Sequence, residues 1–273
     1  MNKASSPSPP IDGKAAAALI EPLTELVRRA GAAILAVDRS AMRVDGKIDG
    51  SPVTQADLAA DRIIAEGLAQ LAPGIEALSE ERIRLAEPPY DNSFFLIDPL
   101  DGTREFVGGR REFTVNLALV TNGSSILGVI GAPALGLIWR GIVGRGAERL
   151  AGDSKRTETI RTRPFPPKGR PWIAAVSRSH GDPATDAFIA AREGAVREVL
   201  GSSLKFAKVA EGAIDIYPRL APTHEWDIAA GCAIVAAAGG KVTDAAGGDL
   251  QFGRRAKDFV VPAFIAWGDP EVC

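Results

Sequence analysis

The chain is poor in the side chains on which several kinds of catalytic site depend. Its 273 residues include two histidines and two cysteines, which argues against a histidine-rich zinc or iron site and against a scaffold held by disulfides. Cys232 and Cys273 are too far apart in sequence to form a C-x-x-C pair. The sequence also lacks the G-x-S-x-G and G-x-x-x-x-G-K-[ST] patterns, so it predicts neither a serine nucleophile elbow nor a P-loop.

Long apolar runs and a strong net charge are missing as well. No apolar run reaches the roughly 18 residues of a membrane span, and a net charge of −2 argues against a broad nucleic-acid surface. The first ten residues, MNKASSPSPP, lack the apolar core of a signal peptide, and we expect a disordered tail over residues 1–13. The expected location is cytoplasmic, with peripheral association with the inner membrane as the alternative. Composition leaves monomer and homodimer open.

Acidic residues, by contrast, are plentiful. Asp and Glu together number 34, whereas nitrogen and sulfur ligands are scarce. Any metal site is therefore expected to use oxygen ligands and a hard cation such as Mg²⁺.

Hydrophobic periodicity predicts an α/β (α+β) fold whose N-terminal part is mostly antiparallel sheet with helices. The first half is predicted to contain helices over 14–38 and 54–71 and strands over 75–78, 94–97, 113–121, 125–132, 136–143 and 147–150. The second half is predicted to contain strands over 172–177, 196–201, 213–219, 241–243 and 259–266 and helices over 182–193 and 227–238, an alternation typical of α/β structure. The segment RPFPPKGRP is the best linker candidate, so we expect subdomains over residues 14–165 and 166–273.

Acidic residues at four places stand where strands are predicted to end or helices to begin. They are Asp57, Glu80, the pair Asp98/Asp101 and Asp227. Each has an ordinary structural explanation: Asp57 fits a capping box, Glu80 a solvated loop, Asp98/Asp101 a turn, and Asp227 a helix cap. Their placement at rigid ends of secondary structure favours a shared site instead.

The segment DPLDGT, residues 98–103, allows two interpretations. Asp-Pro and Asp-Gly both favour β-turns, but two carboxylates and the Leu100 carbonyl within four residues favour a cation site. Such a rigid segment suits the octahedral oxygen geometry of Mg²⁺ and can bridge a pair of ions. If Gly102 and Thr103 open a helix, their N–H groups can hold a phosphate. Metals, phosphate-binding amides and an activated water together predict phosphoester hydrolysis.

Three segments in this order resemble the lithium-sensitive, metal-dependent phosphatase superfamily of inositol monophosphatase: SEE (79–81), DPLDGT and WDIAAG (226–231). Longer segments are similar to bacterial 3′(2′),5′-bisphosphate nucleotidases of the CysQ type, namely SPVTQADLAAD, EFTVNLALV, SRSH, GSSLKF and VAEGAIDIYPR. The resemblance covers most of the chain. It implies a layered αβαβα fold, dependence on two or three Mg²⁺ ions, and hydrolysis of 3′-phosphoadenosine 5′-phosphate to AMP and phosphate, a reaction of sulfur metabolism.

The resemblance also implies a set of metal ligands. Glu80, Asp98 and the Leu100 carbonyl would hold a first ion. Asp98, Asp101 and Asp227 would hold a second, which would stabilise the leaving oxygen. The first half of the chain would then be the metal-binding subdomain and the second half the substrate-specificity subdomain.

Catalytic roles follow from the same resemblance. Asp57 would pair with Thr103, and this pair, together with Glu80, would orient and deprotonate the attacking water. The amides of Gly102 and Thr103 would bind the scissile phosphate, close to Asp227.

A bisphosphate substrate carries a second phosphate that needs donors away from the metals. The matched segments imply that His180, Ser202, Lys205 and Arg219 contact the substrate, and solvated surface polarity is the ordinary alternative for each. Inositol phosphatases tend to carry a carboxylate where this chain has Leu220, which points away from inositol.

Three functions therefore remain under comparison. The first is the bisphosphate nucleotidase. The second is an inositol or sugar phosphate monophosphatase of the same fold, and the third, from a different class, is a metal-binding regulatory protein without turnover. The expected partner in the first case is a small phosphorylated nucleotide.

Overall fold

The computed structural model describes residues 10–39, 44–46, 52–82, 92–151, 156–166, 170–179, 181–253 and 259–273. The helices of these parts are α1 (Gly13–Ala36), α2 (Gln55–Leu71), α3 (Thr103–Val107), α4 (Pro183–Ala190), α5 (Leu204–Ala210) and α6 (Glu225–Ala237). The strands are β1 (Val44–Gly46), β2 (Pro52–Thr54), β3 (Glu76–Ser79), β4 (Ser93–Asp101), β5 (Thr114–Thr121), β6 (Ser124–Ala132), β7 (Leu137–Ile142), β8 (Gly146–Ala151), β9 (Thr157–Ile160), β10 (Ile173–Ser177), β11 (Val196–Leu200), β12 (Ile216–Arg219), β13 (Thr223–His224), β14 (Lys241–Thr243), β15 (Val260–Val261) and β16 (Phe264–Trp267).

The larger sheet has seven strands in the order β3-β4-β5-β6-β7-β8-β9. Its neighbours pair antiparallel except β3 and β4, which run parallel. Asn122 and Gly123 connect β5 to β6 with φ values of 50° and 80°, the left-handed conformations that tight hairpin turns require. The mostly antiparallel N-terminal sheet is therefore confirmed.

Strand β9 was not predicted, because its residues fall in the polar stretch just before the linker candidate. Three of its four residues are exposed and the last is buried. An edge strand of this kind carries too little apolar periodicity to be recognised from sequence.

Helices α1 and α2 cover one face of the larger sheet. Leu23, Val27 and Ile34 recur along α1 at helical spacing and share a buried cluster with Ile64 of α2 and Phe95 of β4. Burial of each such side chain contributes about 1.5–3 kcal/mol. This packing fixes the position of the first turn of α2 relative to the end of β4.

The opposite face of the larger sheet is covered by α5 and α6, and the smaller sheet lies beyond them in the order β11-β10-β12-β16-β14. One buried cluster joins Leu96 of β4 to Ile228 of α6, Phe206 of α5 and Phe264 of β16. Helix α4 packs on the smaller sheet through Ile189. The layered αβαβα fold is confirmed.

Helix α1 begins at Gly13, one residue before its predicted start, and the tail expected before it stays a prediction. The Asp12 side chain accepts hydrogen bonds from Lys14 N and Ala15 N at 2.9 and 2.8 Å, which satisfies two N–H groups of the first turn. Residues 1–9 lie outside the described residues. None of the described helices combines the length and the apolar character that a membrane span requires.

Helix α6 follows the expected linker in sequence but packs on β4, β5, β6 and β7 of the larger sheet. Gly128 of β6 permits the close approach, since a Cβ there would lie 2.2 Å from the carbonyl oxygen of Ala230. The two halves of the chain thus share one core, and the boundary at residues 165/166 stays a prediction.

Candidate active site

The first four residues of the segment DPLDGT, 98–101, form the end of strand β4. Asp98 pairs with Asn116 and Asp101 with Thr114 of β5, so three steps along β4 oppose two along β5. This one-residue excess is a β-bulge, and the Asp98 side chain accepts from Leu100 N within it at 3.0 Å. The predicted β-turn is therefore corrected to a bulge, because β5 offers ladder partners that the local Asp-Pro signal cannot reveal.

Glu80 reaches the bulge from the neighbouring strand. Strand β3 runs parallel to β4 with Ser79 opposite Ile97, and Glu80 N donates to the Ile97 carbonyl at 3.1 Å. The carboxyl ends of two paired parallel strands lie at the same edge of a sheet, so Glu80 and Asp98 come side by side.

Thr103 joins the end of the bulge to the first turn of α2. Gly102, with φ of 89°, precedes Thr103 at the start of α3. The Thr103 hydroxyl lies 3.0 Å from Asp57 Oδ1 and 3.1 Å from the Leu100 carbonyl oxygen. Asp57 Oδ2 accepts from Thr54 N at 2.8 Å and from Thr54 Oγ1 at 2.6 Å. The structure thus contains both the capping box and the expected Asp57–Thr103 contact.

Burial gives the Asp57 carboxyl an unusual protonation equilibrium. Desolvation raises the pKa of Asp57, while hydrogen bonds from Thr54 and Thr103 act in the opposite direction. A carboxylate with a raised pKa holds a proton more readily than an exposed one, as a general base must.

Asp227 enters the site from the first turn of α6. The helix begins at Glu225, two residues before the predicted start, with His224 as its N-cap residue. Asp227 Oδ2 accepts from Thr223 Oγ1 and, at 3.1 Å, from His224 N. The His224 ring stacks on Trp226 with centroids 4.6 Å apart.

Asp101 is held by donors from distant parts of the chain. Its Oδ2 accepts from Ser203 Oγ at 3.1 Å, from Asn116 Nδ2 at 3.3 Å and from Thr114 Oγ1 at 3.4 Å. Desolvation raises the pKa of Asp101 to about 6, and the negative charge of Asp227 adds to the effect. The site therefore holds more negative charge than its protein surroundings neutralise.

These groups surround a cleft of about 350 Å³. Its lining includes most of the predicted site residues: Glu80, Asp98, Leu100, Asp101, Gly102, Thr103, Ser202, Lys205, Arg219 and Asp227. Asp57 reaches it through Thr103. His180 lies outside the described residues, so its predicted contact with substrate stays a prediction.

Ser202 fastens the bulge to the segment after α3. Its hydroxyl lies 2.8 Å from the Asp101 carbonyl oxygen and 2.9 Å from that of Glu112. The Glu112 carboxylate in turn accepts from Arg178 Nε and Nη2 at 2.8 and 3.0 Å and from Gly201 N at 3.1 Å. Ser202 therefore shapes the cleft wall through main-chain contacts.

Lys205 and Arg219 supply positive charge to the cleft. Lys205 is buried and donates to the Ser202 carbonyl at 2.6 Å; desolvation lowers its pKa to about 8. Arg219 Nη2 donates to the Pro222 carbonyl at 3.1 Å, and its buried Nε has no partner among the described residues. Both side chains can bind phosphate oxygens.

Comparison with known proteins agrees with this arrangement. The model of the inositol monophosphatase family matches residues 16–268, which is nearly the whole chain. The chain belongs to the inositol monophosphatase family.

Within this family the chain is similar both to proteins named CysQ and to proteins named inositol monophosphatase. The Escherichia coli K12 protein named 3′(2′),5′-bisphosphate nucleotidase CysQ is 39% identical over 254 residues, covering 90% of this chain and 98% of that protein. The crystal structure of CysQ from Bacteroides thetaiotaomicron has a TM-score of 0.75 and 32% identity, covering 90% and 96% of the two chains. An inositol monophosphatase from Zymomonas mobilis has a TM-score of 0.75 and 26% identity, covering 94% and 95%.

Membership of the inositol monophosphatase family implies a metal cofactor, typically Mg²⁺, and the donor atoms of the cleft fit one. The hydrogen bonds to the side chains of Asp101 and Asp227 all end on Oδ2, which leaves Oδ1 of each without a donor among the described residues. Asn116 Oδ1 is also buried without a partner there. Oxygen donors of this kind suit a hard cation.

The donors are spread along the cleft. In the described ranges, no three acidic, histidine or cysteine side chains gather closely enough to hold one ion by themselves. A cation here would complete its shell with the Leu100 carbonyl, with water or with substrate oxygens, and Mg²⁺ characteristically keeps several water ligands.

Sequence reasoning missed Ser203 and Asn116, although both lie in segments that resemble the family. Asn116 gave a readable signal, because it is a polar residue inside the apolar run of β5, whose residues are all buried. Ser203 gave none, since a serine before a helix is ordinarily explained as a cap.

Proposed function

We propose that this protein is a Mg²⁺-dependent phosphomonoesterase that removes the 3′-phosphate of 3′-phosphoadenosine 5′-phosphate and related 3′(2′),5′-bisphosphates. The products from the adenosine compound are AMP and phosphate. The observation that carries the reaction type is the convergence of carboxylates from β3, β4 and α6 on one cleft. The choice of substrate is supported by 39% identity over 90% of the chain to the E. coli nucleotidase.

The proposed ligands form two sets that share Asp98. Glu80, Asp98 and the Leu100 carbonyl would hold one ion, and Asp98, Asp101 and Asp227 would hold another, for two or three ions in total. When bound, the ions neutralise phosphate charge and lower the pKa of the attacking water. Within the described part of the chain, no donor reaches Oδ1 of Asp101 or of Asp227, so both oxygens are available to a cation.

Water activation is assigned to Asp57 and Thr103. Thr103 Oγ1 donates to Asp57, so its lone pairs are available to accept a proton from water as its own proton moves to Asp57. Glu80, at the neighbouring strand end, orients the same water. The amides of Gly102 and Thr103 are proposed to bind the scissile phosphate.

The second phosphate of the substrate is assigned to Lys205 and Arg219. Both are cations of the cleft wall, and the buried Arg219 Nε lacks a protein acceptor among the described residues. An inositol or sugar phosphate is the alternative substrate. Leu220 disfavours inositol, because it stands where inositol phosphatases tend to carry a carboxylate, and its apolar side chain packs against the core of the smaller sheet and offers no acceptor to ring hydroxyls.

The proposal is tested by measuring phosphate release from 3′-phosphoadenosine 5′-phosphate with and without Mg²⁺, with AMP identified as the product. Asp98→Asn is expected to lower kcat/KM at least about 100-fold, because it removes a shared ligand. Asp12→Asn is the matched control, since Asn caps a helix as well as Asp does. Release without Mg²⁺, or full activity in Asp98→Asn, would contradict the proposal. A wild type inactive on every phosphate ester would favour a regulatory protein.

A further inference from the structure

Ser203 connects three elements of the cleft through one hydroxyl group. Its Oγ accepts from Asn116 Nδ2 of β5 at 2.9 Å and lies 3.1 Å from Asp101 Oδ2 and 2.9 Å from the Asp227 carbonyl oxygen. Asp101 comes from the bulge and Asp227 from α6. Among the contacts of the described residues, this hydroxyl is the direct link between these two acidic residues.

The hydroxyl of Ser203 is not used in the way its position predicts. Ser203 occupies the N-cap position of α5, where a serine ordinarily bonds an N–H of the first turn, yet it makes no side-chain capping bond. The preceding residue, Ser202, adopts φ of 50°, a conformation that is uncommon for a residue with a side chain. The first turn of α5 thus lacks a side-chain cap, while the Ser203 hydroxyl points toward the Asp101 carboxylate and the Asp227 main-chain carbonyl.

Loss of this hydroxyl would leave Asp101 weakly held. Asn116 and Thr114 would remain as donors to Asp101 Oδ2, at 3.3 and 3.4 Å. Both distances are longer than the roughly 2.9–3.0 Å of a typical hydrogen bond. The connection to the first turn of α6 would disappear. The negative charge of Asp227 repels the Asp101 carboxylate, so these two longer bonds would have to hold Asp101 in place against that repulsion.

We infer that Ser203 is a positioning residue that fixes Asp101 relative to Asp227 and thereby sets the affinity of the cleft for Mg²⁺. The inference rests on the metal ligands of the proposed function. Ser203 acts through Asp101 and Asp227, and contact with substrate is not required of it. Outer-shell partners of metal ligands commonly change metal affinity about 10–100-fold when removed.

The experiment titrates Mg²⁺ alone into the full-length protein by calorimetry, without substrate. Ser203→Ala is expected to raise the Kd for Mg²⁺ about 10–100-fold, and Ser203→Thr, which keeps the hydroxyl, to restore it to within about threefold. Ser125→Ala is the matched control. Ser125 Oγ donates at 2.8 Å to the Ala229 carbonyl of α6, the helix that carries Asp227, and is not bonded to a carboxylate. The control is expected to bind Mg²⁺ within about twofold of wild type.

Kinetics and melting separate positioning from a general structural role. With Ser203→Ala, the Mg²⁺ concentration for half-maximal activity is expected to rise with the Kd, while KM for the nucleotide at saturating Mg²⁺ stays within about threefold. Unchanged Mg²⁺ affinity, or a lowered melting temperature of the metal-free protein as the sole effect, would overturn the inference. A wild type that takes up no Mg²⁺ would overturn the proposed metal site as well, whereas activity on another phosphate ester would overturn only the proposed substrate.

Discussion

Two single residues of the cleft, Thr103 and Asp101, differ in what they offer: Thr103 has a hydrogen-bonded hydroxyl, and Asp101 has a carboxylate with a raised pKa. Thr103 Oγ1 lies within hydrogen-bond distance of both Asp57 and the Leu100 carbonyl oxygen. Asp101 carries a carboxylate whose pKa is raised by desolvation and by Asp227. In the proposed mechanism the first arrangement transfers a proton, and the second provides negative charge for a cation.

Replacement of Thr103 by valine tests the proton transfer. The side chain keeps its shape but loses the hydroxyl, so Asp57 can no longer receive a proton through it. We expect kcat to fall about 10²–10⁴-fold, with the Kd for Mg²⁺ within about threefold of wild type. Thr121→Val, at the far end of β5, is the control and should leave kcat unchanged. A normal kcat in Thr103→Val would show that the Thr103 hydroxyl takes no part in the reaction.

The raised pKa of Asp101 makes the stability of the metal-free protein depend on pH. The folded protein holds this proton more tightly than the unfolded chain, in which Asp titrates near 4. The ionisation of Asp101 therefore does not lower the free energy of unfolding below about pH 4. Above about pH 6 it lowers that free energy by its full amount.

Asp101→Asn removes that charge. We expect the metal-free variant to gain roughly 1–3 kcal/mol in free energy of unfolding at pH 7.5, and almost nothing near pH 4. Urea unfolding at the two pH values measures the difference. Lower stability of the variant at pH 7.5 would show that the charge of Asp101 is compensated within the protein.

Residue types and short spacings revealed the part of the site that is local in sequence. Asp57 was recognisable from its capping-box spacing, which the structure contains. Ser203 and Asp101 are 102 positions apart, and no local pattern indicates that two such residues will meet. Long-range hydrogen bonds of this kind are decided by the packing of whole elements.

The bulge at the end of β4 is the element on which the cleft depends. Gly102 follows it at φ of 89°, and a Cβ there would lie 2.2 Å from Ser202 Oγ. Gly109 also has positive φ, 73°, but a Cβ there would meet nothing within 4 Å. Substitution of Gly109 therefore tests backbone strain alone, whereas substitution of Gly102 adds a steric conflict to the strain.

Gly109→Ala is expected to cost about 1–2 kcal/mol of stability, the usual penalty of a left-handed residue, and to leave kcat intact. Gly102→Ala should cost roughly 1–3 kcal/mol more and lower kcat strongly, because Ser202 and the bulge must shift. Urea unfolding and steady-state kinetics measure both effects. Equal behaviour of the two variants would mean that the bulge tolerates displacement.

Elements with strong periodicity could be predicted and those defined by their partners could not. Helices α1, α2 and α6 were predicted to within about two residues at each end, because their apolar faces repeat over many turns. The bulge was taken for a turn, since the ladder positions of Asn116 and Thr114 are invisible in the local sequence. Edge strand β9 was missed for lack of an apolar face.

The molecule as a whole brings its two halves together at the cleft. Helix α6 packs on the larger sheet, which carries Asp227 to the edge where β3 and β4 end. Lys205 and Arg219 come from the same half as α6, and Glu80, Asp98 and Asp101 from the other. Family resemblance could predict this assembly, whereas composition and periodicity alone indicated only a mixed α/β fold.

The ratio of kcat/KM for 3′-phosphoadenosine 5′-phosphate to that for inositol 1-phosphate, at saturating Mg²⁺, tests the proposed function most directly. Lys205 and Arg219 offer charge to a second phosphate that inositol 1-phosphate lacks, and loss of such an interaction reduces kcat/KM by about tenfold for every 1.4 kcal/mol. We expect the bisphosphate to be preferred by at least about tenfold. A higher kcat/KM for inositol 1-phosphate would contradict the assignment.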